Sequence, residues 1–128
     1  MGKIIKTTCA SCGHEWVNKI GCGLMHGSLG NIAGLFSEEE SERIREYMTR
    51  NAYPLFDFAY RLAYCDHCES LVSVPVLELK DESGRYVGSC KQCSRKIEIE
   101  DIIEEADETS CPVCGRASLH TEDTGLWD

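Results

Sequence analysis

The chain has 128 residues, 42% apolar and 27% charged, so it is expected to fold as one ordinary domain or two very small ones rather than stay disordered. Acids outnumber bases by 22 to 13, and the excess lies in residues 65–128, with fifteen Asp/Glu and six Lys/Arg; residues 1–64 balance at seven of each. That charge disfavours a nucleic-acid backbone as partner, and no apolar run nears the ~20 residues of a membrane span.

The N-terminal MGKIIKTTCASC has positive charge but no apolar run of the secretory kind, and Lys6 stands where myristoylation wants Ser or Thr. A cytoplasmic protein is therefore expected. KIIKTTCASCGHEWVNKI reads as strand, C-x-x-C turn, strand, with Ile4, Ile5, Thr7 and Thr8 before the turn and Trp16, Val17 and Ile20 after it. The Gly-rich IGCGLMHGSLGNIAG follows. It lacks the Lys of a Walker loop, and its glycines miss the dinucleotide fingerprint because His26 stands where the third glycine should be. It is read as a flexible connection whose apolar Leu24, Met25, Leu29, Ile32, Leu35 and Phe36 dock on a helix or face a partner.

That helix is SEEESERIREYMTRN. Ser37 is a natural N-cap, Glu40 completes a capping box, and Glu38–Glu40 suit the positive end of the helix dipole. Ile44, Tyr47 and Met48 form its apolar stripe, and it should end near Asn51, before Pro54. LFDFAYRLAYC then alternates Phe56, Phe58, Tyr60, Leu62 and Tyr64 with smaller or charged residues, a half-buried strand. SLVSVPVLEL is a second strand, in which Pro75 implies an edge or a bulge. DESG (Asp81 to Gly84) is a turn, RYVGSC leads to the next C-x-x-C, and KIEIE alternates as a further strand. DIIEEADE is one or two helical turns or an acidic loop. HTEDTGLWD reads as a tail, with Leu126 and Trp127 able to dock.

Nine cysteines in a chain expected to meet a reducing compartment point to metal or redox chemistry rather than disulfides. Eight form four C-x-x-C pairs: Cys9/Cys12, Cys65/Cys68, Cys90/Cys93 and Cys111/Cys114. Four thiolates suit a tetrahedral zinc ion, and each C-x-x-C turn offers two of them with backbone N–H groups to stabilise their charge. Two zinc ions per chain are expected. Each filled site adds −2, moving the formal charge from −9 to −13. Each would contribute on the order of 10–16 kcal/mol of apparent folding energy to a thin core.

Three pairings are possible. Sequential pairing closes the shortest loops and is the one expected on chain entropy; nested pairing comes next, then cross-braced. Sequential pairing makes residues 1–79 one unit, carrying the inserted Gly-rich segment and helix, and residues 80–128 a second.

CASCGHEW and CPVCG resemble the knuckles of zinc-ribbon, or rubredoxin-like, proteins, the small bacterial ones among them. In that family a Gly after the second cysteine turns the chain and an aromatic packs nearby; Gly13, Trp16 and Gly115 match. CDHC departs from the pattern with Glu69. The resemblance covers the knuckles and their flanking strands. It implies a small α+β protein of two four-cysteine zinc-ribbon units, built of short antiparallel strands with one inserted helix. Iron would fit the same thiolates.

The expected role is a zinc-binding structural or interaction module that binds a protein partner, a basic one suiting the acidic half, and is not an enzyme. A nucleic-acid- or transcription-associated ribbon is a second reading, with Lys91, Arg95 and Lys96 its basic residues. A thiol, metal-handling or catalytic protein centred on Cys22 and His26 is a third. Against it, Cys22 reads as a small buried apolar residue, and no Asp or Asn partner is suggested for His26. Thiol redox chemistry wants a C-x-x-C opening a helix, and none does. His14 and His67 are expected beside the sites or at the surface, because eight cysteines already suffice, and His120 in solvent. The acidic run Glu98–Glu108 lacks the spacing of a calcium loop and reads as a solvated face.

Overall fold

The computed structural model describes residues 2–23, 27–53, 55–80 and 84–127. Leu24, Met25, His26, Pro54 and the first three residues of the DESG turn lie outside the described residues. The chain is α+β, with two three-stranded antiparallel sheets and one helix of more than two turns. None of its described helices is long and apolar enough to cross a membrane.

The first sheet has the order β2-β1-β6, from β1 (Gly2–Cys9), β2 (Glu15–Ile20) and β6 (Leu119–Trp127). The second has the order β3-β4-β5, from β3 (Phe56–Cys65), β4 (Ser70–Leu79) and β5 (Gly84–Val87). Gly21 joins them: it exchanges two backbone hydrogen bonds with Tyr60, of 2.8 and 2.7 Å. Asn18 and Ser73 add side-chain bonds across the joint, to the carbonyls of Leu71 and Lys19.

The second sheet is covered on both faces, and the β3–β4 register shows by what. Phe58 opposite Leu77, with Tyr60 and Leu79, packs under the helices α1 (Leu29–Ala33) and α2 (Glu38–Arg50) through Leu29, Ile32, Ile44 and Tyr47. On the same face nearer the cysteines, Leu62 and Leu71 meet Ile5, Trp16 and Leu119 of the first sheet. Ala63, Val72, Val74 and Val76 point the other way, against Val87, Ile97 and Ile102. Burial on both faces explains why β4 is nearly continuous apolar sequence instead of an alternation.

α2 begins as its sequence indicates: Ser37 Oγ accepts from the Glu40 N–H (3.3 Å), and Asn51 closes the far end by donating to Tyr47. The described residues of the Gly-rich segment after position 26 form a helix rather than an irregular connection. Ser28 starts α1, whose buried Leu29, Ile32 and Ala33 complete the helical layer, while Leu35 stays exposed.

Three other expectations change. KIEIE is not a strand: Lys96 makes one bridge to Ser89, Ile97 is buried, and Ile99–Asp101 forms a 3-10 turn closed by the Glu98 N–H on Asp101 Oδ2. The run then lies along the open edge of β3, with Ile102 bridging Ala63 and the Ile103 N–H bonded to Leu62. The C-terminal residues are not a tail but β6, a full partner for β1. Trp127 anchors it by donating to Ile20 O (3.0 Å) and packing edge-on to Tyr60. Gly2 is the room for that indole, since a Cβ there would lie 2.2 Å from Nε1.

Pro75, finally, sits in the central strand of its sheet, not at an edge. Tyr60, its partner across β3, turns its N–H and C=O toward Gly21, so the Tyr60–Pro75 pair needs no hydrogen bond. On the other side β5 has ended, and Gly88 donates to Pro75 O (2.8 Å). A Cβ at position 88 would lie 2.5 Å from the proline ring. Gly88→Ala is therefore expected to cost about 1–3 kcal/mol in urea unfolding of the metal-loaded protein. The double change Pro75→Ala with Gly88→Ala should recover most of it, and simple additivity of the two would count against this contact.

Candidate metal centres

Each C-x-x-C pair sits where a strand or loop reverses, and the reversals repeat one geometry. The first cysteine donates its N–H to the carbonyl five residues on: Cys9 to His14 (2.9 Å), Cys90 to Arg95 (2.8 Å), Cys111 to Arg116 (2.8 Å). The residue after the second cysteine returns a bond to the first cysteine's carbonyl, from Gly13, Ser94 and Gly115. Cys65 and Ser70, the last pair of the β3–β4 register, have the same offset. This backbone course requires a left-handed residue after the second cysteine. Gly13 and Gly115 take it at φ 76, Ser94 at φ 64 and Glu69 at φ 50. The second knuckle therefore keeps the turn although it lacks the glycine.

The same geometry orders the thiols. The first cysteine of each pair ends its approach buried, whereas Cys12 and Cys114 are exposed and Cys68 and Cys93 half-buried. The eight converge in two sets: Cys9, Cys12, Cys111 and Cys114, and Cys65, Cys68, Cys90 and Cys93, with the sulfurs of each set all within 4.8 Å of one another. The pairing is nested. The outer two knuckles meet and the inner two meet, so sequential pairing does not hold, and each set takes one pair from residues 1–79 and one from 80–128. Loop entropy was too weak a guide, since each doubling of a closed loop costs only about 0.6 kcal/mol. Pairing of β1 with β6 brings the chain ends together and overrides it.

Each set could hold one metal ion. A tetrahedron with metal–sulfur bonds near 2.3 Å has sulfurs about 3.8 Å apart. The observed separations are 3.6 Å for Cys9–Cys114, 3.7 Å for Cys12–Cys111, 3.6 Å for Cys65–Cys93 and 3.9 Å for Cys68–Cys90. The Cys12 and Val113 N–H groups point at the buried sulfurs of Cys9 and Cys111 (3.5 and 3.4 Å). Arg95 and Asp66 form a close ion pair that links the two knuckles of the inner set.

Thiol acidity differs within a set. The Ser118 hydroxyl, 3.2 Å from its sulfur, and the Cys12 N–H bring Cys9 down to about 6. Against the pull of the His14 N–H, burial and the neighbouring sulfurs raise Cys12 to about 11. The Cys93 sulfur and burial raise Cys68 to about 12, and burial raises Cys65. Cys9 therefore gives up its proton more readily than the raised thiols, which hold theirs at neutral pH. A cation must displace those protons, so affinity climbs with pH and is lost on acidification.

The other candidates stand apart. Cys22 belongs to neither set and is exposed, not the buried apolar residue expected: it follows Gly21 at the joint between the sheets. His26 lies outside the described residues. His14 and His67 are exposed, with His14 against the Trp16 ring (5.1 Å), and His120 is exposed. Sequence reasoning passed over Ser118, and no spacing rule would have found it, since β6 brings it to Cys9. No family model, curated protein or solved structure matches the chain.

The left-handed turns give a direct check. Gly115→Ala has open space around its Cβ yet is expected to cost about 1–2 kcal/mol through the backbone alone. Glu69→Gly should stabilise by up to about 1 kcal/mol, less the added freedom of the unfolded chain. Loss of stability in Glu69→Gly would mean that the second turn is not left-handed in solution.

Proposed function

We propose that the chain is a two-zinc scaffold of the zinc-ribbon type that presents a protein-binding surface in the cytoplasm and carries out no catalysis. The observation that carries the metal reading is the pair of four-sulfur clusters, with all sulfurs of a set within 4.8 Å and two separations in each of 3.6–3.9 Å. Zinc suits them because four thiolates satisfy it without redox chemistry, and a reducing compartment keeps such thiols available. The same thiolates would hold iron, so the metal itself is part of the test. Cys9, Cys12, Cys65, Cys68, Cys90, Cys93, Cys111 and Cys114 are the proposed ligands.

The partner reading rests on the acidic run beside the outer cluster. Glu100, Glu104, Glu105 and Glu108 are exposed there around a groove of about 910 Å³ that ends at Cys111 and Cys114. Val113, 48% exposed, supplies an apolar contact within it. Acids around an apolar centre suit a basic protein segment, whose charge would steer association.

Native mass spectrometry with elemental analysis tests the metal part, and two zinc ions per chain are expected. Chelation should unfold the protein, and acidification should release zinc as protons return to the thiols. Iron in the protein as isolated, or a metal-free chain that stays folded, would overturn it. The partner part is tested with the zinc-loaded protein and its Glu104→Lys, Glu105→Lys, Val113→Lys variant. A partner retained by the first and lost by the second is expected. Equal retention by both would contradict the proposed surface.

A further inference from the structure

Six basic side chains of this acidic chain sit against carboxylates, among them Lys3 against Asp123, Lys6 against Glu15, Arg85 against Glu78 and Arg95 against Asp66. Lys19 and Lys91 do not. The Lys19 ammonium lies 4.8 Å from the Tyr60 ring centre and 4.7 Å from that of Trp127, and the Lys91 ammonium lies 5.3 Å from the same Tyr60 ring. Two cations therefore converge on one buried ring, and among the described residues neither has a carboxylate partner. Burial, and then the charge of Lys91, hold Lys19 below the usual lysine range. With 22 acids in the chain, scarcity does not explain the missing counter-ion. A ring face attracts a cation only weakly at an exposed site and offsets little of the repulsion between two.

The two lysines line a cleft of about 410 Å³ together with Asn18, Ser73, Gln92 and Glu15, whose carboxylate is paired with Lys6 (3.4 Å). Its walls are held from behind. The Gly21–Tyr60 bonds and the Ser73 hydroxyl on Lys19 O fix one side, and Lys91 is fixed by its place inside a C-x-x-C turn. Asn18 and Ser73 each donate to a backbone carbonyl, and Gln92 is a further polar residue of the lining. We propose that Lys19 and Lys91 form a binding site for a dianionic oxyanion of the phosphate class. Two ammonium groups match its two charges, and lysine binds phosphate as a point charge without the planar fork that a carboxylate prefers. Such a ligand supplies the counter-ion that the fold omits.

The test is a ¹H–¹⁵N NMR titration of the full zinc-loaded chain with inorganic phosphate, against sodium chloride at matched ionic strength. Phenyl phosphate is a parallel arm, and the tighter of the two shows whether the site takes the free ion or an esterified phosphoryl group. Saturable shifts confined to Lys19, Ser73, Lys91 and Gln92 are expected, with binding weakened about tenfold or more in Lys91→Gln, the loss of one charge-assisted contact. Lys91 is exposed and its side chain is outside the core, so that variant should keep its zinc and its spectrum; Lys96→Gln, outside the cleft, should bind as the parent does. Shifts that chloride reproduces, binding unchanged in Lys91→Gln, or equal weakening in Lys96→Gln would each overturn the proposal.

Discussion

Closure of the chain on itself by two sets of four thiols is the constraint on which the rest of this structure depends. The outer set joins residues 9 and 12 to 111 and 114, so almost the whole chain lies between its halves. The inner set ties the β3–β4 hairpin to the loop after β5. One closure sits inside the other, and both draw on the same cores. Cys9 and Cys111 pack with Leu62 and Leu71 of the second sheet, and Cys65 and Cys90 pack with its valines. A metal in either site would therefore brace apolar packing as well as its own turns. In a chain of this size that matters, because a small core alone stabilises little.

Nested closure also decides what remains available at the surface. The two faces of the second sheet are covered by the helices and first sheet on one side and by the run from Cys90 to Ile102 on the other. Function is then left to the edges. The acidic segment lies along β3 with Ile102 and Ile103 turned in and Glu104, Glu105 and Glu108 out, next to the outer cluster. The convergent lysines lie at the joint between the sheets. Opposite charges are thus held at separate places by one rigid frame, which a chain with net charge −9 would not lead one to expect.

Local chemistry was legible in the sequence. The C-x-x-C spacing named the eight converging thiols, Ser37 and Glu40 located the start of α2, and alternation located β3. What escaped depends on contacts distant along the chain. Leu126 and Trp127 look like the end of a polar tail because their partners, Lys3 for Leu126 and Gly2 and Ile20 for Trp127, are more than a hundred residues away. KIEIE alternates like a strand, but only Ile97 faces a core and Ile99 is exposed. Pro75 argued for an edge because its neighbour Gly88, which lets the sheet tolerate it, is not adjacent in sequence. The cysteine pairing failed for the same reason: spacing reports the entropy of closing a loop, whereas strand pairing decides which loops close.

The direct test of nested closure is to load the two thiol sets with ¹¹³Cd and trace its scalar couplings to the cysteine β-protons. One cadmium should couple to Cys9, Cys12, Cys111 and Cys114, and the other to Cys65, Cys68, Cys90 and Cys93. A cadmium coupled to Cys9, Cys12, Cys65 and Cys68 together would contradict the account, because the chain would then be two ribbons in sequence.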